Sequence, residues 1–167
     1  PMADEVLFTD PDGNQAILHT EADAAGNIVR KWVTYKGRES PFVNASEAAE
    51  RILKGEAIER CYIEAITRES LLEAEGRLKT RNLVEEEKPR VSGLILRSPI
   101  RCPVCLIGSL DLSGVNLSGH ADFSGATFNG RTNFRQATFS GITSFFGATL
   151  RGEAHFLCAT FSDGADF

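Results

Sequence analysis

The residues with the widest chemical range in this 167-residue chain are its four cysteines, Cys61, Cys102, Cys105 and Cys158, and its three histidines. Cys102-Pro-Val-Cys105 has the spacing of half a zinc site or of a redox pair. A structural zinc site needs a second ligand pair, and His120, His155, Cys61 and Cys158 are not spaced to supply one. A redox pair opens a helix whose dipole lowers the thiol pKa, yet this pair sits in ILRSPIRCPVCLIG, which reads as β-structure. The favoured reading is small apolar side chains in or near a core. Asp10, Asp12, Asn14 and Glu21 fall at positions 1, 3, 5 and 12 of a calcium loop, but Gln15 stands where that loop needs glycine and no helices flank it. A plain turn is expected there. His155 and Asp166 fall on different faces of the pattern described below, so neither a Ser/His/Asp set nor a carboxylate pair emerges. No catalytic residue, metal site or cofactor is expected.

The elements that position these residues fall into three stretches. Residues 1–43 carry seven acids and four bases, with short β-type runs separated by Pro11-Asp12-Gly13-Asn14, Ala24-Ala25-Gly26-Asn27 and Lys36-Gly37. Glycine and asparagine tolerate the backbone of tight hairpins, so a small β-meander of three or four strands is expected. Residues 44–90, with eleven acids and nine bases, read as a helical and irregular capping and linker region. Asn44 with Glu47 forms a capping box ahead of the stripe Ala45, Ala48, Ala49, Ile52 and Leu53, which Gly55 closes. A second helix is expected near 68–78, capped by Ser70 with Glu73. Residues 91–167 form the third stretch.

That third stretch decides the fold. From Leu106 onward, large apolar residues recur at alternating steps of six and five, through Leu112, Leu117, Phe123, Phe128, Phe134, Phe139, Phe145, Leu150, Phe156, Phe161 and Phe167. Two positions before each, from Leu112 on, stands a small or aliphatic residue. The frequent glycines exclude a helical 11-residue repeat, and spacings of three and four, which a coiled coil requires, are missing. A β-solenoid remains, its short strands joined by tight turns around a packed axis.

At LDLSG, VNLSG, ADFSG, ATFNG, TNFRQ, ATFSG and ATFSD the chain resembles the pentapeptide-repeat family, whose pattern is A-(D/N)-(L/F)-x-x. It departs from a strict five-residue repeat by one extra residue after alternate units, at His120, Arg131, Ile142, Glu153 and Gly164. The resemblance implies a mainly β, right-handed quadrilateral β-helix with the central Leu or Phe and the small residue before it pointing inward, here with a small N-terminal α+β capping region. Two 11-residue units per coil would stack Phe123, Phe145 and Phe167 on one face and Leu112, Phe134 and Phe156 on a second. Leu106, Phe128 and Leu150 would fill a third, and Leu117, Phe139 and Phe161 the fourth. These residues, from Leu112 to Phe167, form the expected structural core, in about three coils roughly 15 Å tall.

Outward positions are mostly Ser, Thr, Asn, Asp and Gly, which read as turn chemistry and solvated ladders. Ile142, Phe146 and Leu157 break that rule and are the candidate partner contacts. The net charge of −5 disfavours binding to nucleic-acid phosphates. Nor does any apolar run reach the ~18 residues that span a bilayer. With no secretory leader in the pattern, a cytoplasmic setting is expected. The leading expectation is a non-catalytic protein–protein interaction scaffold, a fragment of a longer protein or self-associating through its C-terminal end. The alternative is a soluble sensory or anchoring module of a larger, membrane-attached protein. The family resemblance also raises DNA mimicry directed at gyrase, but the solenoid's five acids against three arginines make a weak acidic face.

Overall fold

The computed structural model describes residues 2–80, 91–92 and 95–167; the 81–90 part of the expected linker lies outside them. Four antiparallel strands open the chain: β1 (Met2–Thr9), β2 (Gln15–Ala22), β3 (Ile28–Tyr35) and β4 (Arg38–Val43). Helix α1 (Ala45–Leu53) follows, with the Glu47 amide donating to Asn44 Oδ1 at 2.8 Å and Ala48, Ala49, Ile52 and Leu53 turned into the core. Strand β5 (Tyr62–Thr67) leads directly into helix α2 (Arg68–Thr80). Its cap is Thr67 rather than Ser70: the Ser70 amide donates to Thr67 Oγ1 at 3.1 Å, so the helix begins earlier than the Ser70/Glu73 pattern implied. Arg77 Nε on α2 reaches Glu50 Oε1 on α1 at 2.9 Å, which holds the two helices side by side.

From Val91 the chain runs as short parallel ladders, after β6 (Val91–Ser92) pairs antiparallel with the first of them. One ladder stacks β7 (Ile95–Leu96), β10 (Asn116–Leu117), β14 (Thr138–Phe139) and β18 (Thr160–Phe161). A second stacks β8 (Ile100–Arg101), β11 (Ala121–Asp122), β15 (Thr143–Ser144) and β19 (Ala165–Asp166). The longer β9 (Leu106–Asp111) turns a corner and begins two more. Its first residues pair with β12 (Thr127–Phe128) and then β16 (Thr149–Leu150), its last with β13 (Thr132–Asn133) and then β17 (Ala154–His155). The chain returns to a ladder after 21 residues between Leu96 and Leu117, and after 22 between Leu117 and Phe139.

The shorter first coil shifts one residue of the expected core. Phe128 stands over Ile107, not Leu106, so the third stack is Ile107, Phe128 and Leu150. Leu106 faces outward and packs with Leu7, Phe8, Tyr35 and Phe42 in a satellite cluster beneath the meander. The other three stacks run as the periodicity required, with Phe123–Phe145, Phe145–Phe167, Phe134–Phe156 and Phe139–Phe161 ring centroids 4.6 to 5.6 Å apart.

A second correction concerns the last coil. Leu112 through Phe145 are buried, but Leu150 is 43% and Phe167 70% exposed, with Phe156 and Phe161 half-buried. These four point inward by register, and each has a neighbour on only one side of its stack.

At the other end the stacks continue into the N-terminal region. The Ile58 amide donates to the Arg101 carbonyl, Tyr62 pairs with Leu106 and Ile63 with Ile107. Ile58, Cys61 and Ile63 therefore lie beneath Cys102, Cys105 and Ile107, and residues 58–67 form a partial coil that the repeat pattern does not reveal. The helices close that end with Ile52, Leu53, Leu71, Ala74 and Leu78, all part of one continuous core with the phenylalanines. Through the β4–β5 pairing, the meander extends one wall of the solenoid.

The 11-residue period has a local cause: two kinds of bend alternate. At one kind, a residue within the bend is left-handed, in the columns Arg60, Val104, Gly125, Gly147 and Gly114, Gln136, Cys158, with φ between 54° and 70°. The other kind carries the extra residue and brings successive coils together at glycine. A methyl group on Gly130 would lie 2.2 Å from the Gly108 carbonyl oxygen, and one on Gly152 2.2 Å from that of Gly130.

Candidate functional site

The CxxC spacing is a product of the coil. Cys102 occupies the central inward position beneath Phe123, and Cys105 the small inward position beneath Ala126, so Cys102-x-x-Cys105 repeats the register of Phe123-x-x-Ala126. Both are buried, and Cys105 Sγ donates to the Ile58 carbonyl at 2.8 Å. Burial pushes the Cys105 thiol up to about 12 and Cys102 well above the ordinary thiol value, while Cys61 also rises by burial. All three side chains are part of the continuous core. Cys158 is exposed at a left-handed bend, and all four are free.

The Asp10 loop is a hairpin turn. Asp10 Oδ1 accepts the Asp12 amide at 3.0 Å and the Asn14 amide at 2.8 Å, and the same arrangement recurs where Asp23 Oδ1 accepts the Ala25 and Asn27 amides. Asp10's other oxygen accepts Tyr35 Oη at 2.7 Å, with Lys36 Nζ 3.7 Å away. The Tyr35 hydrogen bond, reinforced by Asn14, holds this carboxyl well below the usual carboxylate range. Its oxygens are committed to the turn and to these neighbours. Among the described residues no group of three or more His, Cys, Asp or Glu is placed to hold a metal ion.

The outward acids serve the bends. Asp111 accepts the Ser113 amide and hydroxyl, Asp122 does the same for Ser124, and Asn133 Oδ1 accepts the Arg135 amide. This is the physical reason for Asp or Asn beside the central apolar residue: a short acceptor satisfies the amide two residues on, inside the turn. His155 lies within reach of Arg135 and Glu153, and its ring is not joined to Asp166 or to a serine.

The three apolar exceptions are exposed: Ile142 by 53%, Phe146 by 63% and Leu157 by 68%. They are not brought onto one ladder. Ile142 precedes β15, Phe146 follows it beyond the inward Phe145, and Leu157 follows β17 on another wall.

A feature not evident from the sequence lies between the β3–β4 hairpin and the β9–β12–β16 wall. It is a groove of about 900 Å³ lined by four cations, Lys36, Arg38, Arg60 and Arg151. Thr127 and Thr149 supply hydroxyls from the wall. Arg151 donates to Tyr35 Oη, which ties the hairpin to the last coil, and lies 3.9 Å from Asp10. Arg60 could have been placed only by reading Ile58-x-x-Cys61 in register with Cys102-x-x-Cys105.

Ladders that return every 21 or 22 residues, inward aromatic stacks and turn-capping Asp and Asn define a parallel β-helix-like repeat protein. The family model for pentapeptide repeats, in 9 copies, matches residues 106–149 and 123–167. Residues 106–167 thus carry pentapeptide repeats. No curated protein sequence and no solved structure matches the chain.

Proposed function

We propose that the chain is a non-catalytic protein–protein interaction scaffold, its repeats wound as a right-handed quadrilateral coil and its exposed apolar residues meeting a protein partner in the cytoplasm. The observation that carries this reading is Phe146, a large aromatic 63% exposed at a bend whose neighbour Phe145 is in the core. Aromatic side chains held on a rigid frame lose little entropy on contact and dominate interface energies. Ile142 and Leu157 extend the contact surface to other bends. The proposal includes self-association through the 150–167 end, where Leu150 and Phe167 are exposed on stacked strands.

Phe146→Ser tests the reading. Sedimentation equilibrium and capture of partners by the immobilised chain should both weaken, with an association constant lowered about tenfold or more. The melting temperature should stay within about 2 °C, since the side chain is outside the core. Unchanged association, or a melting temperature lowered as by a core truncation, would assign Phe146 to the fold instead.

A further inference from the structure

We infer that the groove between the β3–β4 hairpin and the solenoid wall binds a small phosphate-bearing anion through Arg38 and Arg60. This goes beyond the scaffold reading and stands independently of it. The chain carries a net charge of −5, yet this groove gathers Lys36, Arg38, Arg60 and Arg151 against the single lining acid Glu39. Glu39 is already engaged by Arg30 at 3.1 Å, on the hairpin itself. Two of the cations are also occupied: Lys36 and Arg151 face Asp10 at 3.7 and 3.9 Å. Arg38 and Arg60 differ, because among the described residues neither guanidinium has a hydrogen-bond or ion-pair partner. They are two planar donor forks in one groove, with Thr127 and Thr149 hydroxyls alongside. That set matches the charge and the acceptor character of phosphate oxygens.

Arg60 has φ 54° and occupies the column that Val104, with φ 56°, and then Gly125 and Gly147 fill in later coils. A left-handed conformation strains an L-residue but not glycine. Glycine fits that bend without strain, and Arg60 lines the groove from it. The hydrogen bond from Arg151 to Tyr35 joins its two walls, which favours a compact anion over an extended acidic peptide.

Arg60→Gly makes the inference testable without loss of fold, because glycine accepts the bend. The measurement is an NMR titration with sodium pyrophosphate that follows the arginine Nε–H resonances of the full chain. Pyrophosphate should shift Arg38 and Arg60 ahead of Arg131 and Arg135, and added salt should weaken the effect. Arg60→Gly should lower the affinity about tenfold with a melting temperature equal to or above that of the parent, and Arg38→Gln should lower it similarly. Equal affinity in both variants, shifts spread evenly over all arginines, or no shift would overturn the inference. A hexaglutamate peptide that moves Arg38 and Arg60 where pyrophosphate does not would also overturn it, in favour of an acidic polypeptide.

Discussion

The two ends of the solenoid are built on the same inward columns, and among the described residues a further layer lies over only one of them. Below, Ile58, Cys61, Ile63 and Ile66 continue the stacks and two helices lie across them; all are buried. Above, Leu150, Phe156, Phe161 and Phe167 hold the same register, and Phe167 is 70% exposed. Direction is set within a unit, by alternation along a two-residue strand and by the bend that follows it. Burial is set between units, by whether another layer stands on each side. An identical motif can therefore belong to the core in one coil and to the surface in the next.

The largest effect that should separate the two situations is loss of a stacked ring. Phe134 is buried between Phe123, Phe139, Phe145 and Phe156, with centroids 5.1 to 6.2 Å away. Phe134→Ala should cost about 3–5 kcal/mol, the range for a fully enclosed aromatic. Phe156→Ala, at the equivalent position of the half-covered coil, should cost no more than about half as much. Urea unfolding of the two variants checks this. Equal losses would show that the last coil is covered in solution, by a second copy or by other chain.

Backbone contact between coils offers a sharper test, since it does not depend on apolar burial. Gly130 lies between Gly108 and Gly152, and a methyl group there would meet the Gly108 carbonyl at 2.2 Å, so Gly130→Ala should cost about 3 kcal/mol by forcing two coils apart. Gly152→Ala meets the same 2.2 Å contact from the last coil, which can lift, and should cost less than about 2 kcal/mol. If the two substitutions cost the same, the last coil is as constrained as the inner ones.

Much of this was legible in residues 106–167 because Phe at each centre and Ala two places earlier repeat a local rule many times. Helix α1 was legible for a similar reason, since Asn44 and Glu47 state its start in four residues. What remained hidden was set by contacts distant in sequence. Leu106 looks like the first member of the apolar series, yet the 21-residue first coil places Ile107 under Phe128 and leaves Leu106 to pack on the cluster of Ala16, Leu18, Val33 and Tyr62. Residues 58–67 join the solenoid with Ile and Cys in place of Phe and Ala, a substitution that preserves inward volume but erases the motif. The groove was the least legible feature: Arg38 and Arg60 line it from segments far apart in sequence, and neither carries a local signal.

The smallest effect concerns the tie between the covered end and the open one. Asp10, at the tip of the first hairpin, accepts the Tyr35 hydroxyl, which in turn accepts Arg151 from the last coil. Those hydrogen bonds hold the Asp10 carboxyl below its ordinary value of 3.8, so the folded chain favours the ionised form. Stability linked to this group is fully present above the unfolded-chain value and is lost as the pH falls below it, because the unfolded state takes up the proton first. The urea midpoint should therefore decline between about pH 5 and pH 3, and Asp10→Asn should flatten that decline while lowering the midpoint at neutral pH. Asp23, which forms the same turn and is also held below 3.8 by the Asn27 amide, makes no contact with the last coil and provides the control. If Asp10→Asn leaves the Arg151 side-chain resonances where Asp23→Asn leaves them, Asp10 serves its own turn alone and the two ends of the molecule are independent.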